Sequence, residues 1–277
     1  MPYWASELVN LALRWVHVVA AIFWIGQTAL FTWLETRMRV EGGAGSRELW
    51  MVHGGGFYRV HKLPWQVPPR VLHWFRFESL FTFLSGLLLL MWVYWLGEIL
   101  VPTEGPLGPW TGAAVSFAVL ALGWKAYDLL WNTRLARQEA LGAAISLVLL
   151  FTLAWGLTRV FTGRAAFLQV GATLGTIMTA NVWERILPAM RRAVDAARAG
   201  RDLDDAILAA AGRAAQRSRH NAFLAFPVVF LMISNHYPVT TYGQRWNWAG
   251  LAFFTLLGLG ARWLVNRHEA RPVRAER

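Results

Sequence analysis

The chain has 277 residues, 56% of them hydrophobic and only 16% charged, with a mean hydropathy of +0.36. Soluble globular domains carry roughly 25% charged residues, so the composition excludes that class and points to the lipid bilayer. Cysteine is absent, which excludes disulfides, thiolate metal sites and covalent haem attachment through CxxCH. The formal net charge of +11 would suggest nucleic acid in a soluble chain. Here it has to be read for sidedness first, because cytoplasmic loops collect Arg and Lys.

Crossing about 30 Å of hydrocarbon takes roughly 20 apolar residues. Stretches of that kind lie at 8–34, 77–97, 110–131, 140–161, 165–187, 220–236 and 246–265. The start MPYWASELVN has no positive leader and no small-residue cleavage site, so the first stretch reads as a retained span. The third ends in a polar run with Lys125 and Asp128, and the sixth contains Pro227, which removes a backbone donor and should kink a helix. The expected fold is all-α and integral to the membrane: a seven-helix transmembrane bundle, one domain over 1–277. With the N-terminus outside and spans alternating, 35–78, 125–139, 184–219 and 262–277 fall inside. Those segments hold every Lys and Arg except Arg14, Arg159, Arg164 and Arg245. The orientation is therefore expected to be N-out/C-in. It explains the basic surplus, and nucleic acid is not expected as a partner.

Chemistry-bearing residues follow in chain order. His17 sits well inside the first span, roughly 13 Å below the outer rim. It is either a neutral imidazole bonded to a neighbouring helix or an axial ligand to haem iron. The inner loop 35–76 contains MVHGGGFYRVHK. Gly54, Gly55 and Gly56 form either a flexible turn or a place where backbone N–H groups approach a small ligand. In the second reading His53 is a proton acceptor, with Arg59 or Lys62 as charge partners. His73 opens the second span, where Glu78 is expected in an ion pair with Arg76 or another arginine at that rim. The fifth span carries Gly171 and Gly175 at GxxxG spacing, which permits close helix approach.

Residues 188–218 are Ala-rich with interleaved charges and read as a cytoplasmic helical hairpin. His220 and His236 then bracket the sixth span, about 24 Å apart along a helix axis. Ionisable residues at such depths usually mark a cofactor, an ion path or a substrate site. His17 with His236 near the outer side, and His73 with His220 near the inner side, are candidate haem ligand pairs; the alternative for the inner pair is anchoring of helix ends in the headgroup zone. The tail 267–277 is expected to be disordered.

Five stretches taken together, RWVHVVAAIFWIG from Arg14, ELWMVHGGGFY from Glu48, LHWFRFESLFTFLSG from Leu72, GATLGTIMTANVW from Gly171 and RHNAFLAFPVVFLMISNHYP from Arg219, resemble one family. It is the membrane-bound bacterial urate oxidase, also called urate hydroxylase, in its N-terminal membrane domain. The first-helix pattern, a histidine followed by W-x-G, is also similar to that of membrane proteins that bind haem b. The resemblance implies a multi-pass protein of the bacterial cytoplasmic membrane that oxidises urate to 5-hydroxyisourate, with one or two haem b groups. In that family a further helix and a cytochrome c domain follow. This sequence has no cysteine, so electrons are expected to pass to a separate cytochrome c or another acceptor. The alternatives are a haem b electron-transfer subunit without its own small substrate, and a purine carrier without redox chemistry.

Overall fold

The computed structural model describes residues 2–40, 48–134, 138–243 and 245–271. Its elements in chain order are α1 (Tyr3–Val40), β1 (Glu48–His53), β2 (Gly56–His61), α2 (Phe77–Leu89), α3 (Pro109–Asn132), α4 (Glu139–Val160), α5 (Gly163–Ala180), α6 (Leu187–Arg198), α7 (Asp205–Ile233) and α8 (Asn247–Glu269). A π turn, Leu90–Trp95, continues α2; a second, Asn181–Ile186, joins α5 to α6 without a break. Six of these runs are long and apolar enough to cross a membrane: Tyr3–Arg39, Phe77–Trp95, Pro109–Asn132, Glu139–Val160, Gly163–Arg198 and Asn247–Glu269. The expected sixth span, 220–236, is the end of α7 plus a 3-10 turn, Ser234–His236. It is helical as expected. Arg213, Arg217 and Arg219 load the first half of α7 with charge, so the apolar run that remains is too short to count among the six.

The chain alternates between two ends of the bundle. At one, Thr162 donates its backbone N–H to Leu100 O at 3.0 Å, and Arg164 Nε donates to Asn235 Oδ1 at 3.1 Å. At the other, Arg37 Nη1 donates to Arg271 O, Arg219 Nη2 to Glu139 Oε1, and Arg198 Nη2 to Arg70 O. The described Arg and Lys side chains gather at this second, basic end, the four outliers being those the sequence singles out.

Residues 188–218 do form a helical hairpin, but its arms are direct continuations of the spans on either side. α6 buries Ala189, Ala193, Ala196 and Ala197 and turns Arg191 and Arg192 outward. The bend uses Gly200 at φ 63, a left-handed conformation that suits glycine, and Asp204 caps α7 by accepting from the Ile207 N–H at 2.8 Å. Of the tail 267–277, the first three residues complete α8, while 272–277 lie outside the described residues.

α5 is the central element. In its membrane-length run 72% of residues are buried inside the protein, against at most 22% in any other span. The outer helices show the reverse of a soluble fold, with Leu122, Val148, Phe253 and Leu257 exposed on faces suited to lipid. α7 approaches α5 at Gly171, where an added Cβ would lie 3.1 Å from Leu231 Cβ. Gly175, its partner in the GxxxG spacing, has open space. α3 comes close to α5 at Gly123, where an added Cβ would meet Thr173 Cγ2 at 2.5 Å. Gln169, Thr173 and Thr176 on α5 are satisfied inside the bundle, while Thr179 Oγ1 has no partner among the described residues. The fully buried Gln169 donates to Ser116 O at 2.8 Å and accepts from Ser116 Oγ at 2.7 Å.

Candidate functional site

The HGGGF segment is the turn of an antiparallel hairpin, paired from Glu48↔His61 to His53↔Gly56. Gly54 (φ 61) and Gly55 (φ 84) occupy left-handed positions, as a two-residue hairpin turn requires. His53 is exposed beside them, and no atom comes within 4 Å of a Cβ built on Gly54, Gly55 or Gly56. Arg59 packs over the Trp50 ring at 5.7 Å and stands 4.0 Å from Glu48. The hairpin thus brings His53 and the three glycines together at an open tip. Its base is tied to α1 by Lys62 Nζ, 3.1 Å from Glu35 Oε1.

His17 is placed with more constraint. Its Nδ1 lies 2.9 Å from Thr82 O and 3.2 Å from Ser85 Oγ on α2, and its ring fits against Gly86, where an added Cβ would come within 2.8 Å of Cε1. A carbonyl can only accept, so Nδ1 carries the proton and Nε2 keeps its lone pair. That is the tautomer and anchoring expected of a metal-ligating histidine. His220 Nδ1 is 2.7 Å from the Tyr127 hydroxyl, and its ring packs edge-on against Trp131 at 4.1 Å. A hydroxyl can donate or accept, so this contact does not set the tautomer. His73 is exposed and packs edge-to-face on Phe75; His236 is exposed at the end of the 3-10 turn. The contacts of His17 are thus to α2 and those of His220 to α3, while His73 packs on its near neighbour Phe75. Glu78 accepts from Gln27 Nε2 at 3.1 Å, while Arg76 stacks over Phe77 at 4.8 Å, so the expected Glu78–Arg76 pair is not formed. Among the described residues no group of three or more His, Cys, Asp or Glu side chains could hold a metal ion, a requirement that haem, with one or two axial ligands, does not share.

A polar network that the sequence left unconnected joins α3, the π turn and α7. Asn181 Nδ2 donates to the Tyr127 hydroxyl at 3.2 Å and to Asn221 Oδ1 at 2.9 Å, and Asn221 Nδ2 donates to Met178 O at 2.9 Å. Beside it, Asp128 accepts from Arg217 Nη2 at 3.1 Å and from both Nε and Nη2 of Arg185; Arg217 also lies over the Tyr127 ring at 4.8 Å. Two cations thus neutralise one buried carboxylate. Local periodicity could not have revealed this, because the three charges come from three different helices.

A cleft of about 570 Å³ opens at the basic end between α1, the π turn, α7 and α8. Its walls include Trp24, Gln27, Arg39, Arg219, Asn221 and Asn266. The volume, the mixture of aromatic and amide side chains, and the position between helices are those of a small-molecule site. π turns frequently occur at such places.

Fold and cleft together define a multi-pass helical protein, with helices long and apolar enough to cross a membrane and a cleft at its basic end. The chain belongs to the urate oxidase N-terminal family, whose model matches residues 3–276. No curated protein and no solved structure matches it significantly.

Proposed function

We propose that this chain oxidises urate to 5-hydroxyisourate in the bacterial cytoplasmic membrane, with its N-terminus outside and the basic end inside. The observation that carries the reading is the family match over residues 3–276. The segregation of Arg and Lys at one end supports the orientation, because cytoplasmic ends retain positive charge. It also supports entry of urate, a monoanion at neutral pH, from that side.

The reaction removes two electrons and two protons from urate and water together and places the water oxygen on C5 as a hydroxyl. Haem b, when bound, would supply the one-electron acceptance and onward transfer that no side chain here provides. His17 fits a ligand role: Thr82 O holds Nδ1–H, Gly86 leaves room for the ring, and Nε2 keeps its lone pair. His73, His220 and His236 remain proposals for further ligation. The electron acceptor is proposed to be a separate cytochrome c or equivalent carrier. His53 is proposed as the base that takes a proton from urate, with Arg59 and the glycines 54–56 near it.

The test is an optical spectrum of the purified protein, oxidised, after anaerobic urate, and after dithionite. Reduced haem b bands with urate are the expected result. Bands that appear with dithionite alone favour a haem b electron-transfer subunit. A colourless protein favours a purine carrier and removes the haem proposal. In the same assay His53→Ala should lose urate-driven reduction while keeping the dithionite spectrum; unchanged reduction excludes His53 as the base.

A further inference from the structure

Three side chains on one face of α8 carry buried polar atoms without a hydrogen-bond partner among the described residues. They are Arg262 (Nε and Nη2), Asn266 (Oδ1) and Glu269 (Oε2). Their spacing of four and then three residues puts them on one helix face. That face lines the cleft, since Asn266 and Ala270 are among its walls. Arg262 lies one turn deeper and is only 3% exposed. Its guanidinium sits 5.7 Å from the ring of Phe226 on α7, itself one turn deeper than the wall residues Ala222 and Phe223. On α1 the deepest wall residue is Trp24, with Arg39 at the mouth. Arg262 is not itself one of the wall residues; by the register of α8 it lies on the same face, one turn deeper than Asn266.

A guanidinium at such a depth is costly unless it is paired with hydrogen bonds. Glu269 interacts with it electrostatically, but its Oε2 remains unbonded. Elsewhere in the protein the other deeply buried arginine, Arg217, is joined to Asp128 through Nη2, although its Nη1 too has no partner among the described residues. What distinguishes Arg262 is that no carboxylate among the described residues is hydrogen-bonded to it, which leaves its guanidinium open to an anion from outside the chain. Its fork geometry selects a planar anion with two adjacent acceptors. The orphan Asn266 Oδ1, one turn above, can accept from an N–H donor on the same ligand. Trp24, Phe31 and Phe223 are aromatic residues of the walls. The chemical class that meets all three demands is a planar heterocyclic anion whose edge alternates carbonyl acceptors and N–H donors, which is the class of oxidised purines.

We infer that the α1/α7/α8 cleft is the purine site of this protein, with Arg262 gripping the anionic edge and Asn266 accepting from a ring N–H. This rests on the urate reading but moves its substrate from the exposed hairpin tip into the bundle, and a substrate held there is out of reach of His53, so this site and His53 as the base are alternatives. The experiment is equilibrium dialysis of radiolabelled urate against the detergent-purified full chain, without turnover. It compares the wild type with Arg262→Lys, Asn266→Ala and, as control, Arg213→Gln, which lines a separate cleft. The two site variants should bind urate about tenfold or more weakly, while Arg213→Gln binds as the wild type does. Wild-type binding retained in both site variants overturns the assignment and leaves the urate reading standing. Absence of urate binding in the wild type overturns both. If Arg262→Lys fails to fold, Asn266→Ala decides alone, since its side chain is only partly buried. Loss of haem absorbance in Arg262→Lys with urate binding intact would assign the guanidinium to a haem carboxylate and overturn the inference.

Discussion

Asp128 shows how a single residue can hold a membrane bundle together. It sits between the buried Arg217 and the half-exposed Arg185, on helices that share no local sequence. Asp128→Asn would leave Arg217 as a buried charge without an anion, and loss of one member of a buried pair costs roughly 3–5 kcal/mol. The variant should unfold at lower temperature or lower denaturant in detergent than the wild type. A midpoint equal to wild type would mean that water or lipid already compensates Arg217. A second residue-scale expectation concerns Gly86, where an added methyl would lie 2.8 Å from the His17 ring. Gly86→Ala should displace the imidazole from Thr82 O and shift or abolish haem absorbance, with the helices intact. A wild-type spectrum would argue against His17 as the ligand.

At the scale of elements, the hairpin and the central helix illustrate opposite degrees of legibility. HGGGF could be read as turn or ligand loop, because glycine content alone does not distinguish them. Backbone geometry accounts for two of the three glycines, at φ 61 and 84. A side chain with a Cβ in the left-handed region costs roughly 1–2 kcal/mol, and an exposed two-stranded hairpin is marginal on its own. Gly55→Val should therefore fray the hairpin and expose Arg59 to trypsin, while the bundle stays resistant. Unchanged cleavage at Arg59 would show that the hairpin is held by more than its turn. α5, by contrast, was legible as a span from its apolar run. Its role as the buried centre was not, because its Gly, Thr and Gln content, with Asn181 just past its end, resembles that of a less apolar, outlying helix. Tertiary partners such as Ser116 and Asn221 bond the Gln169 amide and Asn181 Nδ2, and that pairing lets the helix occupy the core.

For the whole molecule the decisive property is charge asymmetry across a bundle that turns its apolar side chains outward. The absence of cysteine makes orientation directly testable. Glu104→Cys, in the exposed connection before α3, should react with a membrane-impermeant maleimide in intact cells. Asp202→Cys, in the bend between α6 and α7, should react only after permeabilisation. The reverse pattern would invert the proposed topology and with it the side from which urate enters.

Composition, apolar run length and the distribution of arginines were sufficient for the class of protein, the approximate spans and the family resemblance. Each of these is a property of consecutive residues, and hydrocarbon thickness converts it directly into helices. The tertiary structure alone decided what those helices hold between them. It set His17 against Thr82 and Gly86, linked Asp128 to two arginines from other helices, and left Arg262 and Asn266 with orphan polar atoms beside a cleft. Such relations join positions far apart along the chain. They depend on helix rotation and depth, which packing against neighbours determines and local periodicity does not.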